Sequence, residues 1–248
     1  AKLAYQDMQV QMLMTIPGFE FTIAQAILAA FGDISRFDSA DKAAAYLGLV
    51  PSTYQSGDHT YHGSITKQGR SHARWLLTQA AQQLDSHPGP LGHFFRKLAR
   101  KKNRNVAVVA CARKLAILAW HMLVNNEPYR YAQSRCVDEK LRRLRVRATG
   151  IKQKTGPMKG TPRSNNFGTG VRTRALPGLN SIYSEAGLPP LSSPTAGERR
   201  ILEESGSLAF AEAVLADRGV PKPSGGKPGR PKKNRQLQSA NCIAPQPS

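Results

Sequence analysis

Apolar residues recur at helical spacing through the first half of the chain and thin out after it. Leu3, Val10, Leu13 and Met14 predict a helix over 3–14, which Pro17-Gly18 stops. Ile23, Ala24, Ile27 and Leu28 predict a second helix from Thr22 to Phe31, ended by Gly32. Ser39 or Asp38 can cap a short helix running through Leu47, with Gly48 as its stop. Next comes STYQSGDHTYHGSIT, whose β-branched and aromatic residues are split by Gly57-Asp58 and Gly63. This predicts a small hairpin or extended ribbon. The clearest stripe follows over Arg70–Leu84, with Ala73, Leu76, Leu77, Ala80, Ala81 and Leu84 on one face and Trp75 off it. Leu91, Phe94, Phe95 and Leu98 repeat the spacing. From Asn105 to Val124 the pattern is apolar almost all round, as for a helix in the middle of a bundle.

Beyond Tyr131 the signals weaken. Cys136–Ala148 reads as a short basic helix with Leu141 and Leu144 on one side. The Gly, Pro, Thr, Asn and Arg-rich stretch from there to about Arg174 holds too little apolar area to offset the entropy of ordering it. Helical character returns over Glu198–Arg218, broken at Gly206. The expected class is mainly α. A helical domain spans 1–131, divided into a helix-hairpin-helix-like part at 3–32, a serine loop at 48–69 and helices at 70–125. A basic, low-order tail with one or two short helices spans 132–248. In the hairpin IPGFE the usual second glycine is Glu20, whose carboxylate would repel a phosphate, so the turn reads more readily as a packing corner than as a phosphate site.

Charge adds a partner to this picture. The 248 residues carry a formal +20, with 15 Lys/Arg against 8 Asp/Glu up to residue 131 and 21 against 8 after it. Such an excess favours a polyanion, nucleic acid first, because each phosphate neutralised releases counterions. A membrane is not expected: no uninterrupted apolar run reaches about 18 residues, and no lipidation signal is seen. Phosphate contacts are expected from Lys67, Arg70 and Arg74, and from the cluster Arg96, Lys97, Arg100, Lys101, Lys102 and Arg104. Near the end, 227–233 resembles an AT-hook. It offers Arg230, Lys232 and Lys233 to a narrow minor groove, with Pro228 where an arginine is usual. Cys111, Cys136 and Cys242 are odd in number and widely spaced, which reads as reduced thiols in a cytoplasmic protein and not as zinc ligands.

Ser56 is the candidate for covalent chemistry. It sits beside a flexible glycine, among hydroxyl, imidazole and tyrosine groups, and is followed by three cations. Attack on a phosphodiester needs a positioned hydroxyl and fixed donors for the developing charge. A bend in a solvated loop explains the same residues without chemistry. Asp33, Asp38, Asp41 and Asp58 are scattered over caps and turns, so neither a metal site nor a cofactor site is expected in this chain.

Four blocks in order and spacing narrow the choice: IPGFEFTIAQAILAAFGDISRF, AAAYLGLVPSTYQSG, GSITKQGRSHARWLLTQAA and VAVVACARKLAILAWHML. Over about 13–126 they resemble the C-terminal domain of the insertion-sequence 110/116/902 family of bacterial transposases, relatives of Piv-type DNA invertases. The resemblance implies DNA strand cleavage and transfer, with Ser56 matching the family's covalent serine. It implies an N-terminal RuvC-like domain whose acidic residues hold Mg²⁺ and which this chain, opening AKLAYQDMQVQ, does not show. A guide RNA of the element, a homo-oligomer when complete, and a bacterial, nucleoid-associated location are further implications. On this reading the chain is inactive by itself. The alternative is a non-enzymatic nucleic-acid-binding module.

Overall fold

The computed structural model describes residues 1–151 and 178–215, which form eleven α-helices and one two-stranded ribbon. The expected class, mainly α, is what is found. The first expected helix is two: α1 (Lys2–Gln6) and α2 (Met8–Met14) meet at Asp7. Its extended backbone and carboxylate, accepting from the Gln9 and Val10 amides, start α2 afresh. Helix α3 (Phe21–Phe31) ends at Gly32, and α4 (Ala40–Tyr46) is capped by Ser39. The ribbon β1 (Pro51–Ser56) and β2 (His59–Ile65) precedes α5 (Ser71–Gln82), α6 (Pro90–Lys101) and α7 (Arg104–Asn125).

Helix α7 is the axis on which α4, α5 and α6 pack. Its nine buried residues, among them Leu115, Ala116 and Leu123, explain its all-round apolarity. By length and composition it could also cross a bilayer, but core helices pass that test too, and half of its most apolar stretch is buried here.

The turn between α2 and α3 is a packing corner. Ile16 and Phe19 are fully buried, and Gly18 has φ +81 with no room for a side chain: a Cβ would lie 2.6 Å from the Ala80 carbonyl oxygen of α5. A helix not expected to belong to the core closes this corner. In α8 (Ser134–Thr149), Lys140 is buried and donates from Nζ to the Met14 and Ile16 carbonyls at 2.7 and 2.8 Å. Arg143 meets Glu20 at 3.2 Å. Burial lowers the Lys140 pKa to about 8.

Helices α9 (Leu179–Glu185), α10 (Ala196–Glu204) and α11 (Leu208–Leu215) bury Leu179, Tyr183, Leu202, Ala211 and Val214 in the same hydrophobic core. The expected division at 131 therefore cuts through packed structure. Short helices with a few apolar positions read as a tail because their burying partner is far away in sequence. Most of the stretch expected not to order, 152–177, lies outside the described residues, as do 227–233 with Arg230, Lys232 and Lys233.

His87 gives this packing a pH dependence. Its Nδ1 accepts from the Gly89 amide at 3.1 Å, its ring meets Phe210 of α11 edge-on at 5.9 Å, and Nε2 is buried without a partner. Burial first, and then the charges of Lys140 and Arg96, push its pKa from 6.5 down to about 4. The folded ring stays neutral while the unfolded one takes a proton, so stability present above pH 6.5 is lost as pH falls towards 4. The loss should reach roughly 2–3 kcal/mol between pH 7 and 4.5 in urea unfolding. His87→Asn, which keeps an acceptor for Gly89, should flatten that slope.

Candidate functional site

The ribbon is built outward from a tight neck. Gly48 and Gly69 both have positive φ, and a Cβ on either would lie 2.0 Å from the facing backbone, on the Gln68 and Tyr46 carbonyl oxygens. Two strand segments therefore leave the body side by side. The amides of Thr66 and Lys67 donate to the Val50 and Gly48 carbonyls, and Arg74 donates from a guanidinium nitrogen to the Leu47 carbonyl at 3.0 Å. Lys67 is exposed, with φ +55.

Beyond the neck the strands pair antiparallel, with an irregularity between Pro51 and Thr53. Ser52 Oγ donates there to the Ser64 carbonyl at 3.1 Å. The turn is Gly57-Asp58, with positive φ at Gly57 only and open space around it, as a two-residue turn led by glycine requires. Ser56 is the last residue of β1, exposed at the tip and paired in register with His59. Because side chains alternate along a strand, Ser56, His59, Tyr54 and Tyr61 share one face. The two tyrosines, directly opposite each other, are 67% and 68% exposed. Tyr54 and Tyr61 were not singled out from the sequence. Counting outward from Gly57-Asp58 would have paired them.

The ribbon does not bring Ser56 and the expected cations together. Lys67, Arg70 and Arg74 lie at its foot, and five residues of strand at about 3.3 Å each place them some 17 Å from the tip. Ser56 has no side-chain hydrogen bond or ion pair among the described residues. Arg70 donates from Nε to the Tyr46 hydroxyl at 2.8 Å. Arg36, from a 3-10 turn at Ile34–Arg36, lies 4.4 Å from the Tyr46 ring centroid and 4.5 Å from that of Phe37. Hydrogen bonds from Arg36 and Arg70 hold the Tyr46 phenol below its ordinary pKa. Nothing periodic in the sequence joins Arg36 to Tyr46, and the pair was missed.

The α6 cluster divides in two. Arg96 donates to the Asp85 and His87 carbonyls at 2.7 and 2.9 Å, fastening α6 to the preceding turn, and Arg104 pairs with Asp85 at 3.1 Å. Lys97, Arg100, Lys101 and Lys102 are exposed and make no ion pair among the described residues. The acidic side chains are occupied one by one: Asp33 accepts from Ser35, Asp38 from Lys42 and Asp41 from Arg113. Those residues do not converge into a Mg²⁺ site.

Residues 10–95 match the family model described as the Transposase IS116/IS110/IS902 family. The transposase for insertion sequence element IS1111A of Coxiella burnetii is 32% identical over 124 residues, 48% of this chain and 34% of that protein. The transposase for insertion sequence element IS1328 of Yersinia enterocolitica is 33% identical over 118 residues, 46% of this chain and 35% of that one. The pilin gene-inverting protein of Moraxella bovis is 30% identical over 124 residues, 49% of this chain and 38% of that protein. The chain thus spans about a third of the length of these curated relatives.

Proposed function

We propose that this chain is the DNA-binding, serine-bearing part of an insertion-sequence transposase, acting in transposition by strand cleavage and transfer, with Ser56 as the nucleophile. The observation that carries the reading is the exposure of Ser56 at the tip of a narrow ribbon inside the segment matched by the family, where a hydroxyl can reach a phosphate that the helical body could not approach. Ser56 Oγ would form a bond to the scissile phosphorus as the bond to the leaving sugar oxygen breaks. The serine gives up its proton and the leaving oxygen gains one. One phosphodiester replaces another, so no external energy source is needed.

The charge stabilisation this step requires is not beside Ser56 in this chain. On this reading it comes from Mg²⁺ that the acidic RuvC-like domain of the family would hold, and the partners are DNA and a second copy of the protein. A guide RNA of the element and a bacterial, nucleoid-associated setting belong to the same reading. The test is a denaturant-stable protein–DNA adduct, formed by the chain joined to such an acidic domain and absent with Ser56→Ala. The separation of the cations from the tip favours one rival, a module that binds nucleic acid without chemistry. That module would give no adduct with either protein.

Binding itself should rest on the exposed half of the α6 cluster. Replacing Lys97, Arg100, Lys101 and Lys102 by Gln should weaken duplex binding whatever its sequence. The slope of log K against log salt should shrink by about 0.9 for each phosphate that the variant no longer neutralises. Arg96→Gln should instead lower the melting temperature, because two carbonyls lose their donor. Anisotropy titrations at several salt concentrations, with thermal melts alongside, separate the two effects.

A further inference from the structure

Many cations of this protein are committed. Arg113 pairs with Asp41, Arg130 with Glu127 and Glu198, and Arg142 with Asp138. Lys140 and Arg96 hold backbone carbonyls. Arg36 and Arg70 are different. Both are exposed, neither joins any ion pair among the described residues, and both turn to one neutral group, the Tyr46 phenol. Of the two carboxylates close to Arg36 in sequence, Asp38 pairs with Lys42, and Asp33 accepts from the Ser35 amide and hydroxyl at 2.9 and 2.8 Å and acts on Arg36 only through space.

Two guanidiniums held against one uncharged side chain, Arg36 over its ring and Arg70 on its hydroxyl, repel each other, and a bound anion would relieve that repulsion. The planar fork of each is shaped for a phosphate or carboxylate, and the Phe37 and Tyr46 rings hold the Arg36 guanidinium in place beforehand. The phenol can accept from Arg70 and still donate its own proton to an anionic oxygen. Helix α5 begins at the same place: Arg70 is its N-cap residue and no side chain caps its first-turn amides, so the positive end of a 12-residue helix faces the cluster. The cluster stands at the foot of the ribbon, since Tyr46 leads into β1 and Arg70 follows β2.

We propose that Arg36, Tyr46 and Arg70 form a binding site for one backbone phosphodiester of a nucleic-acid strand, anchoring that strand at the foot of the ribbon that carries Ser56. The proposal rests on the DNA-binding reading above, not on Ser56 being a nucleophile. It assigns Arg36 and Tyr46 a role that nothing in the sequence pattern gave them. The open setting suits a long polyanion passing across the site, whereas a small anion would normally be enclosed.

The test is anisotropy binding of a labelled DNA duplex across a salt series, with wild type, Arg36→Gln, Arg70→Gln, the double variant and Tyr46→Phe. Arg199→Gln on the exposed face of α10 serves as the control. Arg36→Gln should weaken binding about 3- to 10-fold near 0.1 M salt and flatten the salt slope by about 0.9. The double variant should flatten it no further, because both residues serve one phosphate. Tyr46→Phe, which keeps both charges and the ring, should keep the slope and lose affinity a few-fold. Its result decides the question by itself should Arg36→Gln fail to fold. Wild-type affinity in Arg36→Gln and Tyr46→Phe, or losses no greater than in the control, would make the cluster a structural clasp of the neck and overturn the proposal. Inorganic phosphate binding that Arg36→Gln abolishes, with DNA affinity untouched, would make it a small-anion site and overturn it too. Absence of DNA binding by wild type would sink the DNA-binding reading itself, a separate result.

Discussion

If the proposed function holds, strand transfer by this chain joined to a RuvC-like acidic domain should fall on the order of 10³-fold or more with Ser56→Ala. Duplex binding should change by no more than about 0.5 kcal/mol. The asymmetry follows from position. Ser56 is exposed at the ribbon tip and its side chain makes no hydrogen bond among the described residues, so removing one oxygen leaves the fold and the cationic surfaces intact. The same oxygen would form the new bond to phosphorus, and alanine has nothing to offer in its place. Ser52 and Ser64 are the controls. Ser52→Ala should cost about 1 kcal/mol of ribbon stability by losing its bond to the Ser64 carbonyl, and neither variant should lose strand transfer. Full strand transfer with Ser56→Ala would remove the nucleophile assignment and leave the binding module in its place.

Tyr183→Ala should lower the unfolding free energy by about 3–5 kcal/mol, the cost of emptying a large buried aromatic site. Tyr183 is fully buried and donates its hydroxyl to the Tyr129 carbonyl at 2.7 Å. The Tyr129 amide in turn donates to Thr15 Oγ1 at 2.9 Å, so α9 is tied through one residue to the end of α2. Tyr183→Phe should cost about 1–3 kcal/mol, since it keeps the ring but leaves a buried carbonyl unpaired. Chemical denaturation measures both. A loss below about 1 kcal/mol for the alanine variant would detach 178–215 from the core and restore a folded unit ending near 131. The same packing predicts that cutting the chain after Tyr131 does more than remove positive charge. It strips Lys140 from two carbonyls and uncovers α1 and α2, so a weaker DNA complex from that truncation would not measure electrostatics alone.

The helices that carry a continuous apolar stripe could be read without the structure. For α3, α4, α5 and α7 the bounds differ from expectation by a residue or two, because burial against one neighbour imposes the 3.6-residue period and a cap such as Ser39 marks a start. The ribbon was also legible, since Gly57-Asp58 between β-branched and aromatic runs is compatible with a hairpin. Tertiary structure alone decided the rest. Lys140 sits where a stripe would ask for an apolar residue, and only the two carbonyls ending α2, more than a hundred residues away, make its burial tolerable. Short helices such as α9 hold too few turns to declare a face, so their membership of the core depends on partners that the local pattern does not contain. The cations show the same limit most clearly. Sequence counts Arg70, Arg74, Arg96 and Lys97 as equal phosphate contacts. The fold spends Arg74 and Arg96 on backbone carbonyls, turns Arg70 with Arg36 onto Tyr46 and leaves Lys97 in solvent, because a charge takes its role from the groups that folding sets beside it.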